Sequence, residues 1–84
     1  MNIEQACKDA VVLVQSYLDG DLIAADMMDE LCEAQEAVDY AWDESSSRKA
    51  DRMCRPAWHA CIAAKNDERD IAKMYVNAFW EQVK

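Results

Sequence analysis

One glycine and one proline in 84 residues most limit what this chain can fold into. β-Hairpin turns need residues that tolerate positive φ, and strands are bounded by clusters of Gly, Pro, Asn and Asp. A chain with only Gly20 and Pro56 has little of that punctuation. The remainder is rich in Ala, Glu, Asp, Met and Leu, so the expected fold class is all-α. Hydrophobic residues at 52% and charged residues at 31% fit a folded domain and not a disordered tail. The length suits a single domain over residues 1–84 with a modest core.

Apolar spacing then divides the chain. Ile3, Cys7, Ala10, Val11, Val14 and Leu18 recur at intervals of three and four, which predicts a first helix from about Ile3 to Leu18. In the Asp19–Gly20–Asp21 run, Gly20 suits a left-handed residue just past the helix end and Asp21 suits an N-cap. A second helix is predicted from about Leu22 to Asp43, with Met27, Leu31, Ala34, Val38, Ala41 and Trp42 as its buried stripe. The low-propensity segment SSSRKADR, residues 45–52, is the expected main connection, with room for a short helical turn. A third helix is predicted to start near Pro56, whose missing N–H is harmless in a first turn.

The polar run KNDERD, residues 65–70, invites a break in that helix. At about 100° per residue, however, Ala57, Trp58, Cys61 and Ile62 before it share one phase with Ile71, Ala72, Tyr75, Val76, Phe79 and Trp80 after it. The expectation is therefore one continuous helix with Lys65, Glu68 and Arg69 intruding on its apolar side. The predicted architecture is a small antiparallel three-helix bundle with a long C-terminal helix. Its third helix has an apolar arc wide enough for both other helices, or for another chain.

No constellation in the sequence suggests an active site. Cys7, Cys32, Cys54 and Cys61 lack the close pairing of structural zinc sites, and on a helix His59 points about 160° away from Cys61. No metal or cofactor is expected, and Cys7 and Cys61 read as core thiols. His59 shares its helical face with Asn66, Asp70 and Asn77, which predicts a solvated side chain rather than a general base. Glu-x-x-His pairs and glycine-rich phosphate loops are missing from the sequence. The many carboxylates of the second helix lie on its polar face, away from an apolar pocket that could shift a pKa.

Charge is the informative property. Residues 1–47 carry twelve acidic side chains and one basic one, whereas residues 48–84 carry five acidic and eight basic, for a total of −8. Such a chain should avoid nucleic acid and anionic membranes and attract basic proteins. Arg48, Lys49, Arg52 and Arg55 cluster around the predicted second connection. They are expected to neutralise acids within the chain or across a dimer, since the acidic half opposes a nucleic-acid role over a Debye length of about 8 Å. The opening MNIEQACKDA lacks a basic start and an apolar run, and no stretch reaches the roughly 18 apolar residues of a membrane span. A cytoplasmic location with reduced cysteines is expected, in the host cell if the gene is carried by a phage.

On a helical wheel, Asp26, Asp29, Glu30, Glu33, Glu36, Asp39, Asp43 and Glu44 lie opposite Leu31 and Val38. Like charges three or four residues apart each destabilise a helix by a few tenths of a kcal/mol, where lysines would have stabilised it. Tyr40 projects from the middle of this face. Trp42, Trp58, Tyr75, Phe79 and Trp80 read as core, with Trp58 and Trp80 toward one edge of the apolar arc as a second candidate interface. An acidic row along a rod resembles the phosphate row of a nucleic acid, and the chain is similar in kind to small phage and plasmid inhibitors, some anti-CRISPR proteins among them. The expected function is therefore non-enzymatic: blocking a basic, nucleic-acid-handling host protein or complex through the second helix. An immunity protein or antitoxin against a basic toxin is the alternative on the same face. A homodimeric helical adaptor would instead use the apolar face of the third helix.

Overall fold

Asn2 opens the first helix. Its side-chain oxygen accepts the backbone N–H of Glu4 at 2.9 Å and of Gln5 at 3.3 Å, satisfying donors that have no partner inside a helix. Helix α1 then spans Ile3–Leu18, the range set by its apolar spacing. It ends at Gly20, whose φ of 85° is the left-handed conformation that glycine adopts without a Cβ clash.

The computed structural model describes residues 2–20, 24–45 and 47–83. The predicted cap Asp21 and helix start Leu22 lie outside the described residues. The chain continues as a 3₁₀ turn, Ala24–Met27, followed by α2 (Met28–Glu44), α3 (Arg48–Lys65) and α4 (Arg69–Gln82). All elements among the described residues are helical, so the fold is all-α.

Four α-helices replace the three that the sequence predicts, and two local features separate the observed boundaries from the predicted ones. The first lies before Pro56. Ser47 caps a helix there by accepting the N–H of Ala50 at 3.1 Å, so most of the predicted connection is helical. Pro56 consequently sits inside α3 rather than in its first turn. An interior proline removes one hydrogen bond and crowds the preceding turn, a penalty of about 3 kcal/mol. Here Met53, Cys54, Ala57 and Ala60 are buried on both sides of it, and tertiary packing carries the helix through.

The second feature is the break at residues 66–68. Asp67 takes a left-handed φ of 56°, its N–H donates to Ala64 O, and the N–H of Glu68 donates to Ala63 O at 2.9 Å. This pair of bonds is a Schellman closure, with aspartate in the place glycine usually holds. The predicted long C-terminal helix is therefore two helices. Shared apolar phase did not distinguish a continuous helix from one that stops and turns back on itself.

Contacts fix the directions. Cys7 meets Cys54 and Tyr17 meets Asp67, so α1 and α3 run the same way. Gln35 meets Lys65 and Trp42 meets Arg55, so α2 runs against α3. His59 stacks on Tyr75, and Pro56 and Ala78 line one groove, so α4 also runs against α3. Helices α1 and α3 each pack on both α2 and α4. The wide arc of α3 is used by three neighbours within the chain. Alanines 57, 60 and 64 are fully buried along it, and their small side chains allow close helix approach, while Tyr17, Met27, Leu31 and Phe79 fill the larger gaps.

Candidate functional site

Helix α2 buries Leu31, Val38 and Ala41, and rests Ala34 and Trp42 half-buried against the core. The opposite side of the helix follows from that register. Asp29, Glu30, Glu33, Glu36, Asp39, Asp43 and Glu44 are all exposed, as is Asp26 in the preceding 3₁₀ turn. Tyr40 stands among them at 61% exposure, with Glu36, Asp43 and Glu44 as its neighbours one helical turn away. Every acid that the wheel assigns to this face is thus outside the core.

These acids are also unpaired. The ion pairs among the described residues are Glu4–Lys8 and Asp51–Arg55, both solvent-exposed i,i+4 pairs outside α2. Asp29 and Glu30 in the first turn of α2 suit its positive dipole end, but Asp43 and Glu44 lie in the last turn, which holds no basic residue. The C-terminal part of the face therefore runs against the helix field as well as against its own like charges.

The basic cluster occupies a different place from the predicted one. Arg48, Lys49, Arg52 and Arg55 belong to the first turns of α3 instead of a connecting loop, and all four are exposed. Arg55 lies 5.7 Å from the centroid of the Trp42 ring of α2 and bonds Asp51 at 3.0 Å.

Trp58 is half-buried against the core and Trp80 is 37% exposed, so the two are not equivalent. Trp80 packs edge-on against the fully buried Phe79. His59 is not on a purely solvated face: its ring stacks on Tyr75 at 4.9 Å and meets the edge of Trp58 at 5.1 Å. The reversal at Asp67 brings Tyr75 back onto α3, and a wheel drawn for one straight helix has no such contact.

Three cysteines, Cys7, Cys54 and Cys61, are fully buried, and the first two place their sulfurs 3.5 Å apart across α1 and α3. Burial pushes all three thiols up, Cys61 to about 12, which disfavours the nucleophilic thiolate. Among the described residues no three His, Cys, Asp or Glu side chains gather as a metal site.

One cluster has no counterpart in the helical spacing of the sequence. Tyr17 is completely buried and donates its hydroxyl to Asp67, while Arg69 lies 4.8 Å over the Tyr17 ring. The Arg69 guanidinium also donates to Leu18 O at 2.6 Å and to Tyr17 O at 3.3 Å. It thereby satisfies carbonyls at the C-terminus of α1, the dipole end that favours a cation. Lys65, a second base that intrudes on the apolar side, donates to Gln35 of α2 at 2.6 Å. The intruding bases are therefore ties between helices.

Comparison with known proteins finds no matching family model, no matching curated protein and no matching solved structure. No described helix is long and apolar enough to cross a membrane.

Proposed function

We propose that this protein is a non-enzymatic inhibitor that occupies the nucleic-acid groove of a basic host protein or complex with the outward face of α2. Such a protein would act in the cytoplasm of the cell that holds its target, as phage- or plasmid-borne inhibitors do. The observation that carries this reading is charge density on a rigid rod. Seven acids from Asp29 to Glu44 project along about 22 Å of helix, one per about 3–4 Å, close to the roughly 3.4 Å per charge of one DNA strand. None of them is neutralised by a basic side chain among the described residues. Tyr40 supplies the aromatic anchor that a purely electrostatic contact lacks, in a position where nothing in the domain uses it.

The test is capture of a target and its release by competitor. Wild-type protein should retain a basic, nucleic-acid-binding protein from host lysate, and single-stranded DNA or about 0.5 M salt should displace it, since steering between opposite charges is screened. A variant with Glu33→Lys and Glu36→Lys should fold at least as well as wild type, because it relieves like-charge pairs, and should lose the target. Tyr40→Ala should weaken capture with little change in its salt dependence. Undiminished capture by the charge-reversed variant would overturn the reading. A captured toxin that DNA does not displace would favour an immunity role on the same face.

A further inference from the structure

We infer that the protein pairs with a second copy of itself, the acidic α2 of each copy lying over the arginine-bearing face of α3 in the other. This goes beyond the proposed target and needs no foreign partner.

Arg48, Arg52, Arg55 and His59 follow one another at spacings of four, three and four, which puts them on one stripe of α3. The three arginines are exposed and His59 is half-buried. Helix α2, packed beside α3, exposes only acidic charges among its ionised groups. Two neighbouring helices therefore carry opposite charge on their outer surfaces. Within the chain that charge is not matched. Asp43 and Arg48 line the same open cleft between the end of α2 and the start of α3, yet no ion pair among the described residues joins the two helices.

Both placements also run against local preference. Arg48 and Lys49 begin α3 at its positive dipole end, and Asp43 and Glu44 finish α2 at its negative end. A second copy corrects both at once. A two-fold axis parallel to the helices, passing between α2 and α3, exchanges the acidic half of the surface with the basic half. Each acidic helix then faces a basic one, as an isologous interface requires.

Register follows from contacts already present. Rotation about such an axis keeps every residue at its own height along the bundle. Gln35 is level with Lys65 and Trp42 with Arg55 inside one copy. Continuing that antiparallel count sets Asp43 of one copy level with Arg55 of the other, Asp39 level with His59, and Glu44 within a turn of Arg52. The exposed Asp51–Arg55 pair is the contact that Arg55 would exchange. Each copy carries −8, but general repulsion is screened beyond about 8 Å at physiological salt while pairs in contact are screened less.

The experiment uses two complementary variants and sedimentation equilibrium from micromolar to millimolar concentration at physiological salt. Wild type should show a concentration-dependent dimer. Asp43→Lys with Glu44→Lys makes α2 repel the partner's α3, and Arg52→Glu with Arg55→Glu makes α3 repel the partner's α2. Each variant alone should weaken the dimer at least tenfold, with helicity retained by circular dichroism. An equimolar mixture should recover a heterodimer, because every facing pair is then opposite in sign. A monomeric wild type over the whole range, folded variants that dimerise normally, or a mixture that stays monomeric would each overturn the proposal. If a variant fails to fold, the single changes Asp43→Lys and Arg55→Glu serve in the same mixing design.

Discussion

Tyr17 shows how one buried polar atom can organise a junction. Its ring is core, but its hydroxyl needs an acceptor, and Asp67 supplies one from the turn between α3 and α4. Burial first, and the bond to Asp67 second, push the Tyr17 hydroxyl above its usual range. The thiols of Cys7, Cys54 and Cys61 are pushed up for the same leading reason. A group whose folded pKa exceeds its unfolded value stabilises the fold fully below the unfolded pKa and loses that contribution as pH rises toward the folded one. Unfolded thiols ionise near 9 and tyrosine near 10. Stability should thus be insensitive to these groups below about pH 8 and fall steadily above about pH 9. Urea midpoints measured from pH 7 to pH 11 check this. A midpoint that holds or rises across pH 9–11 contradicts the burial of these four groups.

At the scale of the element, the turn at Asn66–Asp67 separates two readings of one sequence. A continuous helix would welcome alanine at both positions, since each substitution raises helix propensity by up to about 0.7 kcal/mol. The observed turn predicts the opposite. Asn66→Ala with Asp67→Ala places a poorly tolerated residue in the left-handed position, at about 1–2 kcal/mol, and removes the acceptor of the buried Tyr17 hydroxyl, at about 1–3 kcal/mol. The double variant should lose about 2–5 kcal/mol in denaturant unfolding. A gain in stability would restore the single long helix.

For the molecule as a whole, the core is built from many small side chains and few large ones, so each large one matters. Leu31 is fully exposed to neither solvent nor cleft and sits at 0% exposure in the cluster that includes Val11, Val14 and Val38. Leu31→Ala should cost about 2–5 kcal/mol, against a total stability of about 5–15 kcal/mol for a domain of this kind. Thermal unfolding followed at 222 nm, the band of the α-helix, should stay cooperative and shift down by at least about 10 °C, given about 4–8 °C per kcal/mol for small domains. A shift of only a degree or two would place Leu31 outside the core.

Much of this architecture is legible in the sequence. The helical period needs only local spacing, so α1 was predicted to its ends, and the stripe of Leu31, Val38 and Ala41 put the acids and Tyr40 on the outer face of α2. Scarce glycine and proline set the fold class for the same reason, because both act through the local backbone. What depended on tertiary structure was where helices stop and what they meet. Pro56 reads as a helix start until buried neighbours carry α3 through it, and KNDERD reads as in phase until a left-handed Asp67 closes the helix on Ala63 and Ala64. The tie of Tyr17 to Asp67, the grip of Arg69 on α1 and the stack of His59 on Tyr75 join positions between 16 and 52 residues apart. Periodicity within one helix carries no information about such pairs, because they form only once separate helices are packed side by side.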